Sequence, residues 1–134
     1  MNKEFVPYNE SLELKELGFD EPTLYHWHKS SKENPFTNEV FNPNCRPRTN
    51  SGIKDIGDEN HVWSAPTFSQ AFRWFREKCG IDYEIPYAGK RGEYHAFVKS
   101  FIYGDNSSSP SIFSYEEAEL TCLRKLIEIC KTKN

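Results

Sequence analysis

The stretch APTFSQAFRWFREKCG, residues 65–80, decides the fold. It interleaves Phe68, Phe72, Trp74 and Phe75 with Arg73 and Arg76. Base-stacking surfaces have that composition, and so do core helices with a solvated back. A helical wheel separates the two readings. At about 100° per residue, Ala71, Phe72, Phe75 and Cys79 fall within ~60° of Phe68, and Gln70, Arg73 and Glu77 lie opposite. The three Phe rings therefore form the core stripe of an amphipathic helix. Thr67 and Gln70 spell a capping box, Pro66 suits a helix start, and Gly80 supplies the stop. Trp74 stands about 120° from the stripe centre. It is either packed beneath a neighbour or exposed as a binding anchor, a role Trp often fills.

Upstream of this helix, a first helix is predicted from about Glu10 to Leu17. Asn9 is its expected N-cap and Gly18 its left-handed C-terminal residue. Leu14 and Phe19 then take the hydrophobic contact of a Schellman motif. Residues 23–29, TLYHWHK, alternate as a strand does, with Leu24, His26 and His28 on one face and Tyr25 and Trp27 on the other. From about 30 to 60 the chain turns polar and rich in Asn, Pro, Ser and Gly, which predicts a long loop with only Glu39–Phe41 strand-like. A loop of that length is functional or mobile.

Downstream, Ile81–Tyr87 and Glu93–Tyr103 read as two strands of a hairpin around the turn AGKRGE. GDNSSSPS, residues 104–111, reads as a soft linker. Ser114 and Glu117 make another capping box, opening a helix to about Cys130. Its apolar residues, from Ala118 and Leu120 through Cys122, Leu123, Leu126, Ile127, Ile129 and Cys130, sweep a wide arc. A wide arc means deep burial or a partner on a second side. The order is α-β-β-α-β-β-α in a single small domain of 134 residues. That pattern predicts an α+β fold, a mostly antiparallel sheet with helices packed on one face.

Composition narrows the function classes. Aromatic residues make up 15% of a chain that is only 37% hydrophobic, so rings must supply much of the core. The net charge of −3 offers duplex nucleic acid no global attraction. No apolar run is long enough to span a bilayer. The opening MNKEFVPYNE has no signal-like apolar region, and the four cysteines, Cys45, Cys79, Cys122 and Cys130, show no C-x-x-C pair. These features predict reduced thiols in the cytoplasm, with no membrane partner.

No catalytic constellation stands out. The chain has no G-x-S-x-G, no phosphate-loop pattern and no dinucleotide fingerprint. His26 and His28 lie two apart on one strand face and are candidate metal ligands, but zinc needs a third and usually a fourth. No metal site and no cofactor are assigned. The carboxylates of Asp82 and Glu84 read as solvated strand residues.

Basic side chains are more informative. Arg46 and Arg48 flank Pro47 in the expected loop with Lys54 nearby, and Lys90 and Arg91 sit at the hairpin tip. Arginine forks pair with phosphate, and rings stack on bases. Trp27, Trp74, Arg46, Arg48, Lys54, Lys90 and Arg91 are thus the candidate ligand-binding residues.

Three segments, EFVPYNESLELKELGFDEP, APTFSQAFRWFREKCGIDYEI and SYEEAELTCLRKLIEICK, are distinctive as strings. They resemble a group of small proteins of unassigned function encoded in phages and prophages of Bacteroidota. The resemblance covers somewhat under half the chain and carries over no functional residues. It implies a phage origin and a role in the host cytoplasm during infection. The expected function is counter-defence by stoichiometric binding, either sequestering a small cyclic-nucleotide signal or blocking a host defence protein. A protein–protein module, including a homo-oligomer, is the first alternative. A small nucleotide-processing enzyme built from His26, His28, His95 and carboxylates is the second. A single-stranded nucleic-acid binder fits the exposed rings but not the net charge.

Overall fold

The computed structural model describes residues 4–29, 39–53, 61–85, 94, 97–100, 106–108 and 114–133. Its internal contacts divide the chain into two compact units, Met1–Thr67 and Phe68–Asn134. Both contain helix and antiparallel sheet, and the class is α+β.

The N-terminal unit opens with helix α1, Tyr8–Glu16. The helix begins one turn's edge earlier than the Asn9 cap predicts. Pro7, at φ −62° and ψ 167°, is its N-cap, and the Pro7 carbonyl accepts the Ser11 amide at 2.8 Å. Proline suits a helix start, since it lacks an N–H to satisfy there. The far end follows expectation. Gly18 has φ +101°, its amide bonds Lys15 O at 3.0 Å, and the Phe19 amide bonds Leu14 O at 2.9 Å. These are the two bonds of a Schellman motif, and its hydrophobic pair, Leu14 and Phe19, is buried.

Three strands follow: β1 (Thr23–Lys29), β2 (Glu39–Arg48) and β3 (Val62–Ser64), in the order β2-β1-β3 and all antiparallel. Here the expected loop is corrected. Instead of stopping at Phe41, β2 runs ten residues through Arg48. Its prolines argued against a strand, yet β2 is an edge, where proline is tolerated. Pro43 lies opposite Tyr25, whose carbonyl accepts the Ala65 amide on the far side of β1. Tyr25 therefore directs its backbone groups away from β2, and Pro43 owes it no hydrogen bond.

The segment after β2 is also tied down. Asn50 is buried, donates to Phe19 O at 2.7 Å and accepts the Ser64 amide at 2.8 Å. Ser51 bonds the Asp20 carboxylate through both its amide and its hydroxyl, at 2.6 and 2.7 Å. Ile53 is fully buried.

One face of this sheet is aromatic. Tyr25 and Phe41 stack with an interplanar angle of 2°, and Phe5 packs against both. Trp27 meets Phe41 and Tyr8, and Tyr8 meets Trp63. Rings here do the work of the missing aliphatics, as the composition requires.

The C-terminal unit begins with α2 (Phe68–Trp74), which runs on as a π-helical turn through Phe75–Cys79. Gly80, at φ 67°, ends it by donating its amide to Phe75 O. Phe68, Ala71, Phe72 and Phe75 are buried and Arg73 and Glu77 exposed, as the wheel predicts, while Cys79 and Gln70 are half-buried. Strands β4 (Ile81–Glu84), β5 (Phe97–Ser100) and β6 (Asn106–Ser108) form an antiparallel sheet in sequential order. The expected pairing of the first two is present, with Ile81 opposite Ser100.

The linker at 104–111 is corrected in part, because Asn106–Ser108 pairs with β5. An edge strand needs only backbone groups to join a ladder, so its polar side chains gave no signal. Helix α3 spans Tyr115–Lys133, and the Glu117 amide bonds Ser114 Oγ at 3.1 Å, the cap its sequence predicts. Ala118, Cys122, Leu123, Leu126, Ile127 and Cys130 of its wide arc are buried, and Leu120 and Ile129 half-buried. Among the described residues, no helix is long and apolar enough to cross a membrane.

Candidate functional site

An open groove of about 550 Å³ lies within the C-terminal unit, lined by Arg76, Asp82, Tyr83, Glu84, Ile85 and Tyr115. Each element contributes for a local reason. Arg76 comes from the π turn, where the wider ring of backbone bonds interrupts the α-helical pitch. Asp82, Tyr83 and Glu84 come from β4, and Tyr115 is the first residue of α3. Tyr83 is fixed by stacking on Phe72, with ring centroids 3.9 Å apart and planes 19° from parallel. Tyr115 is 42% exposed and meets Tyr94 edge-on at 5.6 Å.

Charge in the groove is mostly negative. Arg76 and Asp82 form an ion pair at 3.6 Å with both side chains well exposed. Glu119, one helical turn from Tyr115, acts on both phenols. Burial pushes the Tyr83 hydroxyl above the usual phenol range, with Glu119, Asp82 and the Cys122 thiol adding to it and Arg76 opposing. Burial likewise raises Tyr115, followed by Glu119, Tyr83, Cys122 and Tyr94. The Glu119 carboxyl is itself raised, first by burial and then by Glu116. In all three, burial is the first cause and neighbouring negative charge the second, so the charged form of each group is disfavoured where it stands. The two phenols stay protonated at neutral pH and offer hydroxyl donors and ring faces together.

The sequence-derived candidates lie elsewhere. Trp74 is buried at 6% exposure and packs edge-on against Phe75 at 5.0 Å, so its ring is not a surface anchor. Of the two readings the wheel leaves open for Trp74, the packed one holds, because the buried arc is wider than the Phe stripe alone. Trp27 is half-buried in the aromatic face, and its indole N–H donates to Val6 O at 2.9 Å. Arg46 and Arg48 are strand residues rather than loop residues, Arg46 exposed and Arg48 half-buried at the end of β2, where its carbonyl accepts Thr23 Oγ1. Lys54, Lys90 and Arg91 lie outside the described residues, as does His95.

His26 and His28 part company. His26 is buried, and its Nδ1 lies 2.6 Å from Asn44 Oδ1. Asn44 Nδ2 donates to Thr23 O at 3.0 Å, which leaves Oδ1 to accept and makes His26 Nδ1 the donor. Burial lowers the His26 pKa, the Asn44 bond partly offsets this, and neighbouring His28 lowers it further. A neutral, bonded core histidine is the result. Among the described residues, no three His, Cys, Asp or Glu side chains converge to hold a metal ion.

Sequence reading missed Tyr83, Tyr115 and Glu119 as a group. Nothing local in the sequence signalled that Tyr83 and the start of α3 line the same groove. Comparison with protein-family models, curated proteins and solved structures finds no match.

Proposed function

We propose that this protein acts stoichiometrically, binding a basic segment of a host protein in the Tyr83–Tyr115 groove and blocking that partner during infection. The observation that carries the reading is the groove itself, lined by two phenols, one arginine and the carboxylates of Asp82 and Glu84, with half-buried Glu119 acting on both phenols. Tyr and Arg dominate the energetic centres of protein interfaces. A lysine or arginine between the two rings gains cation–π attraction and offsets the charge on Glu119. The likeness of three segments to phage and prophage proteins supports a host partner. The nucleotide version of the expectation relied on Trp27 and Trp74 as stacking rings, and both are engaged in packing.

The test is calorimetric titration with three probes: a peptide of alternating Lys/Arg and apolar residues, its Glu-substituted counterpart, and a cyclic dinucleotide. Saturable binding of the basic peptide alone is expected. It should weaken about tenfold or more in Tyr115→Ala and in Glu119→Gln, and weaken as salt rises. Tight cyclic-dinucleotide binding untouched by Tyr115→Ala would overturn the reading, as would equal binding of both peptides.

A further inference from the structure

We propose that the basic segment enters the groove as an extended strand, paired to the outer edge of β4 and added to the C-terminal sheet. This rests on the groove reading above and adds how the partner's backbone is held. Asp82, Tyr83, Glu84 and Ile85 are consecutive, and all four line the groove. Side chains alternate between the two faces of a strand, so a groove that touches four in a row follows the edge and not a face. In the sheet order β4-β5-β6, β4 is an outer strand whose ladder partner is β5.

The backbone of β4 suits such a partner. The Tyr83 amide donates to Asp82 Oδ1 at 2.8 Å, a side-chain acceptor that stands in for the carbonyl of a neighbouring strand. A residue in an antiparallel ladder turns its N–H and C=O to the same side. Tyr83 therefore directs its backbone groups away from β5, and Ile85, two residues on, is in phase with it. An arriving strand displaces Asp82 from the Tyr83 amide, supplies a carbonyl there and donates an N–H to Tyr83 O. Strand addition of this kind draws affinity from main-chain bonds and specificity from alternate side chains. At about 3.3 Å per residue, residues 82–85 offer roughly 13 Å of edge, enough for a segment of about four residues.

Charge selects the occupant. Asp82 and Glu84 both line the groove, and Arg76, which lines it too, is already paired with Asp82 at 3.6 Å. A second copy of β4 laid along the same edge would set these carboxylates against their own kind, and charges of one sign on an edge deter such pairing. A strand bearing lysine or arginine meets them favourably.

The test titrates the full-length protein with three forms of the alternating basic and apolar peptide. One is unmodified, one is N-methylated on the backbone at every basic residue, and one is N-methylated at every apolar residue. Only alternate residues of an added strand face β4, and N-methylation removes their donors. One methylated form should therefore bind about tenfold or more weakly, and the other should stay within about threefold of the unmodified peptide. In the unmodified complex, hydrogen exchange at the Tyr83 amide should slow by about tenfold or more. Saturable binding of the unmodified peptide with equal affinities for the two methylated forms overturns strand addition and leaves the groove reading standing. Absence of binding by all three overturns both. A dimer of the free protein in sedimentation, dissociated by the unmodified peptide, assigns the edge to a second copy and also overturns the proposal.

Discussion

In the N-terminal unit, Trp27 and Trp63 both donate their indole N–H to carbonyls at the start of α1, Val6 O and Tyr8 O. Their rings close on Tyr8 and Phe41. In the C-terminal unit, Tyr83 stacks on Phe72, and Tyr115 keeps much of its ring in water. Both regions are aromatic, yet the two indoles of the first are tied to backbone carbonyls, whereas Tyr83 and Tyr115 line one open groove. Abundance of rings therefore says little about a binding site. What matters is whether the polar end of each ring already has a partner inside the fold.

The sharpest way to break this contrast is Trp63→Ala against Tyr115→Ala, compared by thermal and urea unfolding. Trp63 is 1% exposed, and its removal should destabilise by roughly 3–5 kcal/mol. Tyr115→Ala should stay within about 1 kcal/mol of wild type while impairing binding. Similar losses from both would mean that the groove is structural. Next in size is Asn50→Ala, which strips partners from the buried Ser64 amide and the Phe19 carbonyl. A loss of about 2–3 kcal/mol is expected, read from the shift of the urea midpoint.

The smallest effect concerns pH. The folded pKa of His26 is below its ordinary 6.5, so the folded state prefers the neutral ring. Its contribution is whole above pH 6.5 and is lost as pH falls from there toward the folded pKa, where the unfolded chain binds the extra proton. Stability should thus decline as pH falls below about 6.5, and His26→Gln should flatten that decline. A profile unchanged by His26→Gln would place the titration elsewhere.

Most of the helices were legible because their signals are local. The Gly18 stop, the Ser114 cap and the Phe68–Phe72–Phe75 stripe each depend on residues within one or two turns. Strand β2 was half-hidden because Pro43 and Pro47 argue against a strand unless it is known to be an edge, which is a property of the whole sheet. Strand β6 was hidden because the polar run Asn106–Ser108 shows no apolar alternation. The groove was least legible. Tyr83 and Tyr115 stand far apart in sequence, and the π turn that presents Arg76 follows no pattern that a wheel of constant pitch detects. Trp74 shows the converse, a residue prominent in sequence that packing absorbs.

The prolines of β2 have one more consequence. An outer strand with every amide in place is a template on which a foreign strand, or another copy of the chain, can align and grow. Pro43 offers no donor on the side away from β1, and Pro47 removes another from the same strand. Along β2, the N-terminal sheet is therefore guarded against being lengthened by strand addition, the route by which aggregates spread.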